Sequence, residues 1–362
     1  MKVTTVNGQA VDENSISFKA LEKITVEGEV LDASGQLVTD FTGIVNPTVK
    51  DSKVTVTCLK NSNKDDTPAF TFTDYPNTIF IGNDSVRNGK FSFTFTVPKD
   101  ISYSNLQGKM NLYAVDTENG HEAQGNFDNF IVGGTSDTAE TDTIGPEIRA
   151  LYLNDTTFVD GGQVNTTPYF VAELWDKSGV NITGSSVGHD MMLVIDESTV
   201  LSYNLNSYYE LLPGEEGAGI VKFPIPALEP GKHTAEFWVW DIQNNSTVRT
   251  FTFEVVEGLK PFLFDVIATP GIAREQVTFH LMHNRPESRM RVGIMVYDLA
   301  GRQLWKHEES GTSGLFENYT VSWDLTCGGA RMRPGVYIYR AAISTDNSKD
   351  ATKARKFIIL GE

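Results

Sequence analysis

Lys90-Phe91-Ser92-Phe93-Thr94-Phe95-Thr96-Val97 decides the fold class. Phe91, Phe93, Phe95 and Val97 fall on one side of an extended chain, and Ser92, Thr94 and Thr96 fall on the other. That is the period-2 alternation of a half-buried strand. The same period recurs at Arg291–Tyr297, where Val292, Ile294 and Val296 share a face. Phe237–Trp240, Phe251–Val255 and Val336–Ala342 are further strand candidates, each bounded by Gly, Pro, Asn or Asp. No stretch carries a convincing amphipathic-helix period. Short strands with turn signals every 8–12 residues or so predict an all-β protein of tandem Ig-like β-sandwich domains.

At 362 residues the chain is long enough for two to four such domains. Gly133–Asp142 is small, polar and poor in apolar residues, a linker by composition. A second boundary falls at Glu257-Gly258-Leu259-Lys260-Pro261. The predicted division is a sandwich over 1–133, a linker over 134–144, a sandwich over 145–257 and a C-terminal sandwich over 258–362. Charge changes at the second boundary. Residues 258–362 hold 14 Lys/Arg and 11 Asp/Glu, while the rest holds 16 against 36, within a total of −17. An acidic body of this kind excludes a nucleic-acid partner, which demands clustered positive charge. In the middle segment, Pro230-Gly231-Lys232-His233 feeds a strand to Trp240, and Asp241–Asn245 turns the chain back into Thr247–Val256.

Two distant cysteines, Cys58 and Cys327, exclude a disulfide framework and a structural zinc site, which needs four ligands. No apolar run is long enough for a transmembrane segment. Met1-Lys2-Val3-Thr4-Thr5 lacks the apolar stretch of a signal peptide, so the expectation is either a cytosolic protein or part of a longer precursor. Catalysis requires a nucleophile, a base and an orienting group together. None of the six histidines, His189 and the His280/His283 pair included, sits beside a glycine-flanked Ser or Cys elbow. Cys327-Gly328-Gly329 reads as a small residue in a strand-end turn. No catalytic residue and no cofactor is assigned. Calcium is the one plausible ion, with candidates Asp116, Asp176, Asp241 and Asn244 in oxygen-rich strand-end turns, although Asp and Asn also cap such turns by default. Trp-Asp occurs at Trp175-Asp176, Trp240-Asp241 and Trp323-Asp324, each read as a strand aromatic followed by a turn-starting Asp. Trp238 and Trp305 are candidates for a carbohydrate platform, the basis of an alternative reading as a surface adhesin or carbohydrate-binding module.

Several stretches carry a family resemblance. Ser85–Phe95 with Val97-Pro98-Lys99-Asp100-Ile101 is similar to the segment downstream of the protease domain in PorU-type sortases, gingipain-like proteins of the type IX secretion system. Gly145-Pro146-Glu147-Ile148, Glu173–Asn181 and Pro230–Asp241 resemble the family too. Val296–Arg302, Pro334–Arg340 and Lys356–Leu360, in that order at the chain end, resemble the C-terminal signal domain of type IX cargo. Asn284-Arg285-Pro286-Glu287 and Asp324–Ala330 narrow the likeness to the sortase. The resemblance implies a parent cysteine endopeptidase that removes cargo signal domains at the cell surface, with the protease domain preceding this region. It implies no catalysis in this chain, since no position matches the family's His–Cys motif. It further implies a secreted, outer-membrane-associated location and two partners: the parent chain and an outer-membrane β-barrel shuttle protein. Strand addition along Thr352–Leu360 is the expected docking mode, with Lys353, Arg355 and Lys356 guarding that edge.

Overall fold

The computed structural model describes residues 1–11, 16–59, 68–137, 141–184, 188–212, 215 and 217–361; residues 138–140 of the predicted linker fall outside them. Among the described residues the regular structure is all strand, apart from one 3-10 turn at Asn206–Tyr208. The sheets stack in pairs about buried apolar faces, so the all-β sandwich reading holds.

Lys90–Thr96 shows the mechanism. Phe91, Phe93 and Phe95 are buried, Ser92 and Thr94 exposed, and Val97 just beyond is fully buried. Burying a side chain of this size is worth roughly 1.5–3 kcal/mol. The strand pairs with Lys23–Glu29 on one side and, through a two-residue turn, with Asp84–Arg87 on the other. That turn is Asn88-Gly89, with φ of 52° and 73°, the left-handed pair that a tight hairpin of right-twisted strands requires. The larger sheet runs, in spatial order, Glu122–Phe127, Lys109–Asp116, Gly43–Lys50, Asp84–Arg87, Lys90–Thr96, Lys23–Glu29, Lys2–Val6 and Gln9–Ala10, with Thr78–Ile81 also on Gly43–Lys50. Facing it, Phe130–Thr135 lies between Leu106–Gln107 and Ile16–Ala20, parallel to the latter. Phe18, fully buried, stacks on Phe130 at 4.2 Å and meets Phe95 edge-on at 5.8 Å, joining the two layers. The strand Phe130–Thr135 extends two residues into the predicted linker.

The middle segment holds a four-stranded sheet, in the order Glu147–Leu153, Tyr169–Trp175, Ala218–Pro224, Tyr209–Leu211. It also holds a five-stranded sheet ordered Gln163–Val164, Ser246–Val255, Gly231–Trp240, Met192–Ile195, Ser202–Asn204. The predicted hairpin is present, its first strand beginning at Gly231, inside the stretch read as feeding it. The last segment pairs Leu263–Thr269, Val277–His283 and Tyr319–Trp323 in one sheet. Its second sheet runs Ile272–Ala273, Ala351–Ile359, Gly335–Ser344, Met290–Tyr297, Gln303–Gly311. Val292, Ile294 and Val296 are fully buried, as their spacing predicts. Phe279 sits at the centre of this core, against Tyr339 at 4.9 Å and Phe357 at 6.0 Å.

Backbone contacts gather the chain into two compact units, one of 1–151, 172–222 and 235–250, the other of 152–171, 223–234 and 251–362. Strands of the middle segment begin in one unit and end in the other.

Candidate functional site

The three Trp-Asp steps share one local design. Asp176 Oδ1 accepts from the Ser178 and Gly179 amides and the Ser178 hydroxyl. Asp241 Oδ1 accepts from the Gln243 and Asn245 amides, and its Oδ2 takes the Asn245 side chain at 2.6 Å. Asp324 Oδ1 accepts from the Thr326 amide and hydroxyl. Each carboxylate satisfies the donors of the turn it begins. Trp323 is buried, whereas Trp175 and Trp240 are half-buried.

Within the first unit the first two of these turns converge. One carboxylate oxygen from each of Asp142, Asp176 and Asp241 lies within 4.8 Å of the other two. Asp176 is 4% exposed and Asp241 fully buried. Burial raises both carboxyls above their ordinary value, turn hydrogen bonds partly offset it, and the negative charge of Asp142 adds to the rise at Asp176 as that of Asp176 does at Asp241. Asp142 is held by its own contacts: its amide donates to Gln243 Oε1, its carbonyl accepts from Asn245 Nδ2, and its carboxylate caps the Ile144 amide.

Of the four calcium candidates from sequence, the structure thus brings together Asp176 and Asp241. Asp116 stands in a separate turn, where the Asn119 side chain and the Asn119 and Glu118 amides hold its carboxyl below the ordinary value. Asn244 directs its amide nitrogen to Asp100 Oδ1 at 2.8 Å, while its Oδ1 is buried without a partner. Asp142, which sequence reasoning missed, completes the cluster; its only local signal is an acidic residue at the end of the linker.

Asp100 was missed as well. Its Oδ2 receives His189 Nδ1 at 2.6 Å, and His189 packs on Trp240 with ring centroids 4.5 Å apart. One residue before it, the Lys99 amide donates to the Ile242 carbonyl. Residues 99–100 of the first segment are thereby tied to the 241–245 turn.

In the second unit the polar centre is Arg285, 1% exposed. Its guanidinium donates to the Asn284 carbonyl and side chain through one terminal nitrogen, and to the Leu259 and Lys260 carbonyls through the other. The Phe262 amide donates to Asn284 Oδ1 and the Asn284 amide returns a bond to the Phe262 carbonyl. These bonds strap 259–262 to the start of the last sandwich. Burial lowers the Arg285 pKa to about 10, with the charge of Asp155 acting the other way. Beside it, His283 Nδ1 accepts the Arg285 amide, which places its proton on Nε2 for donation to Ser313 Oγ.

Burial, reinforced by the Arg285 charge, pushes the His283 pKa down to about 4 from an ordinary 6.5. The folded state therefore keeps this ring neutral at pH values where the unfolded chain protonates it. Its effect on stability is nil above pH 6.5 and grows as a loss while pH falls towards 4. The expected slope is about 1.4 kcal/mol per pH unit, reaching roughly 2–3 kcal/mol. Urea titrations at pH 7, 5.5 and 4.5 check this, with His283→Gln showing a shallower decline than the parent; parallel declines would show that His283 does not carry it.

The predicted docking residues occupy the strand Ala351–Ile359. It is paired over nine positions with Gly335–Ser344 and at its end with Ile272–Ala273. Lys353 Nζ donates to the Phe264 carbonyl, and Arg355 grips Asp265 with two nitrogens at 2.8–3.1 Å. Lys356 is exposed. Two of the three cations thus fasten this strand to Leu263–Thr269 across the sandwich. Cys327 Sγ donates to the Leu304 carbonyl. Trp305 is half-buried, lies near Trp323 at 4.4 Å and His307 at 5.8 Å, and packs against the core. Trp238 is half-buried and donates to Glu236.

No family model matches the chain, and no curated protein matches it. Among solved structures it is similar to PorU from Porphyromonas gingivalis, crystallised as a latent dimer, at 37% identity over 100% of this chain and 34% of that one, with a TM-score of 0.44. The chain therefore spans about a third of that protein's length. It is remotely similar to the FN1–FN3 domains of chicken CNTN1, at 8% identity over 96% of each chain and a TM-score of 0.21. Bacteroides ovatus SGBP-B, in complex with a mixed-linkage heptasaccharide, matches at 9% identity over 99% of this chain and 70% of that one, with a TM-score of 0.27. The likeness to PorU extends over the whole chain.

Proposed function

We propose that this chain is the non-catalytic C-terminal region of a type IX secretion sortase, in which sandwiches at 1–133 and 145–257 are accessory modules and 258–362 docks on an outer-membrane β-barrel shuttle. The parent would be a gingipain-like cysteine endopeptidase acting on cargo signals at the cell surface. The observation that supports this reading is an alignment to PorU that covers 100% of this chain at 37% identity but only 34% of PorU. The ends that resemble cargo signal domains, Val296–Arg302 and Lys356–Leu360, lie in one sheet of the last sandwich, on its strands or the turn between two of them.

The whole chain, immobilised and exposed to a detergent extract of outer membranes, is expected to retain a β-barrel protein. Lys356→Glu is the clean probe of the basic strand, because Lys356 is exposed whereas Arg355→Glu would face Asp265. It is expected to lower retention about threefold or more with the melting temperature unchanged, a single exposed charge being worth of order 1 kcal/mol or less. Retention of no outer-membrane component by the parent chain would end the docking reading.

A further inference from the structure

We propose that Asp142, Asp176 and Asp241 form a calcium site that fastens the segment beginning at Asp142 to the 176–179 and 241–245 turns. Three carboxylate oxygens mutually within 4.8 Å can all touch one cation at the 2.3–2.6 Å that calcium prefers. The turn bonds of Asp176 fall on Oδ1 and the Ile144 amide bonds Asp142 Oδ1. The second oxygens of both carboxylates are thus outside the turn networks.

A second observation points to a ligand. Tyr209, 7% exposed, has a hydroxyl with no hydrogen-bond partner. Its pKa is driven up by burial and by the negative charge of Asp176, so the phenol lies in the field of that carboxylate. The ring tip lies against Gly219, where an added Cβ would be only 2.2 Å from the hydroxyl oxygen. Gly217, two residues before it, accepts the Asp176 amide at 3.0 Å. Gly217 and Gly219, at the start of Ala218–Pro224, thus bring the Asp176 turn and the phenol to one end of that strand. A buried hydroxyl without a partner costs about 1–3 kcal/mol. A hydrated cation held by the three aspartates removes that cost, because its waters accept and donate where the protein does not.

The donor chemistry selects the ion. All donors are hard oxygens, which suit calcium and disfavour zinc, whose sites use nitrogen and sulfur. Three carboxylates leave three to five positions for water and carbonyl oxygens, within the six to eight that calcium takes. This site does not depend on the docking reading; a chain that binds no shuttle protein can still bind the ion.

Trp175 and Trp240 each precede a ligand in sequence and serve as built-in antennae for terbium, a luminescent stand-in for calcium. The full chain, stripped with EDTA, is expected to give saturable tryptophan-sensitised terbium luminescence that calcium displaces. Its melting temperature is expected to rise about 5 °C or more in millimolar calcium. Asp142→Asn, at a half-buried position outside the strands, is expected to weaken calcium binding about tenfold or more, and Asp176→Asn likewise. Asp116→Asn, in a separate turn, is expected to leave binding unchanged. No saturable terbium signal, or equal affinity in the parent and Asp142→Asn, would overturn the site. An equal melting shift from magnesium would overturn the assignment to calcium.

Discussion

Arg285→Leu is expected to destabilise the chain by about 3–5 kcal/mol, among the largest losses a single substitution here would give. Leucine fills part of the aliphatic stem but leaves the carbonyls of Leu259, Lys260 and Asn284 without their donors. It also leaves Asp155 without the positive charge that faces it in the same unit. Arg285→Lys retains the charge but not the fork that reaches two carbonyls through one nitrogen and Asn284 through the other, so about half that loss is expected. Urea denaturation measures both. Limited proteolysis provides a local readout, since 259–262 should become a cleavage site once its strap is gone. A loss under about 1 kcal/mol in the leucine variant would show that other contacts hold the segment.

Phe18→Ala is expected to cost about 3–5 kcal/mol, through the lost transfer energy of a phenyl ring and the cavity it leaves. Phe18 is fully buried and touches aromatic rings from both layers, Phe130 by stacking and Phe95 edge-on. Neither neighbour can follow the vacated volume without leaving its own strand pairing, so collapse is small and the upper half of that range is expected. Phe18→Leu should recover most of the loss. The check is the denaturation midpoint, with near-ultraviolet dichroism following aromatic packing. A loss below about 1.5 kcal/mol would mean the first sandwich does not depend on this bridge.

The strands were readable because their signal is local. Phe91, Phe93 and Phe95 advertise a face within seven residues, and Val292, Ile294 and Val296 do the same. The turn-starting role of Asp176, Asp241 and Asp324 was readable for the same reason, the donors lying two to four residues on. Arg285 was not. Its burial is imposed by carbonyls 25 and 26 residues away, and nothing in Asn284-Arg285-Pro286 marks the cation as interior. Asp142 and Asp100 meet partners roughly 30 to 140 residues distant, so no window along the chain could bring them to the calcium candidates. Lys353 and Arg355 were read as guards of the strand Thr352–Leu360; their contacts across the sandwich, with Phe264 and Asp265 about ninety residues back, were out of reach of any local window.

The parallel pairing of Ile16–Ala20 with Phe130–Thr135 joins the beginning and the end of one module, over a hundred residues apart. During synthesis the ribosome must release nearly the whole module before Ile16 can find Phe130, and until then the small sheet has no central strand. Loop closure of that length is entropically slow to reward, so this clasp forms late and seals what the local hairpins have already built. Tension applied at Ile16 and Thr135 would run along the paired strands and load their hydrogen bonds together, not one after another. The module is built to be drawn out as one piece or not at all.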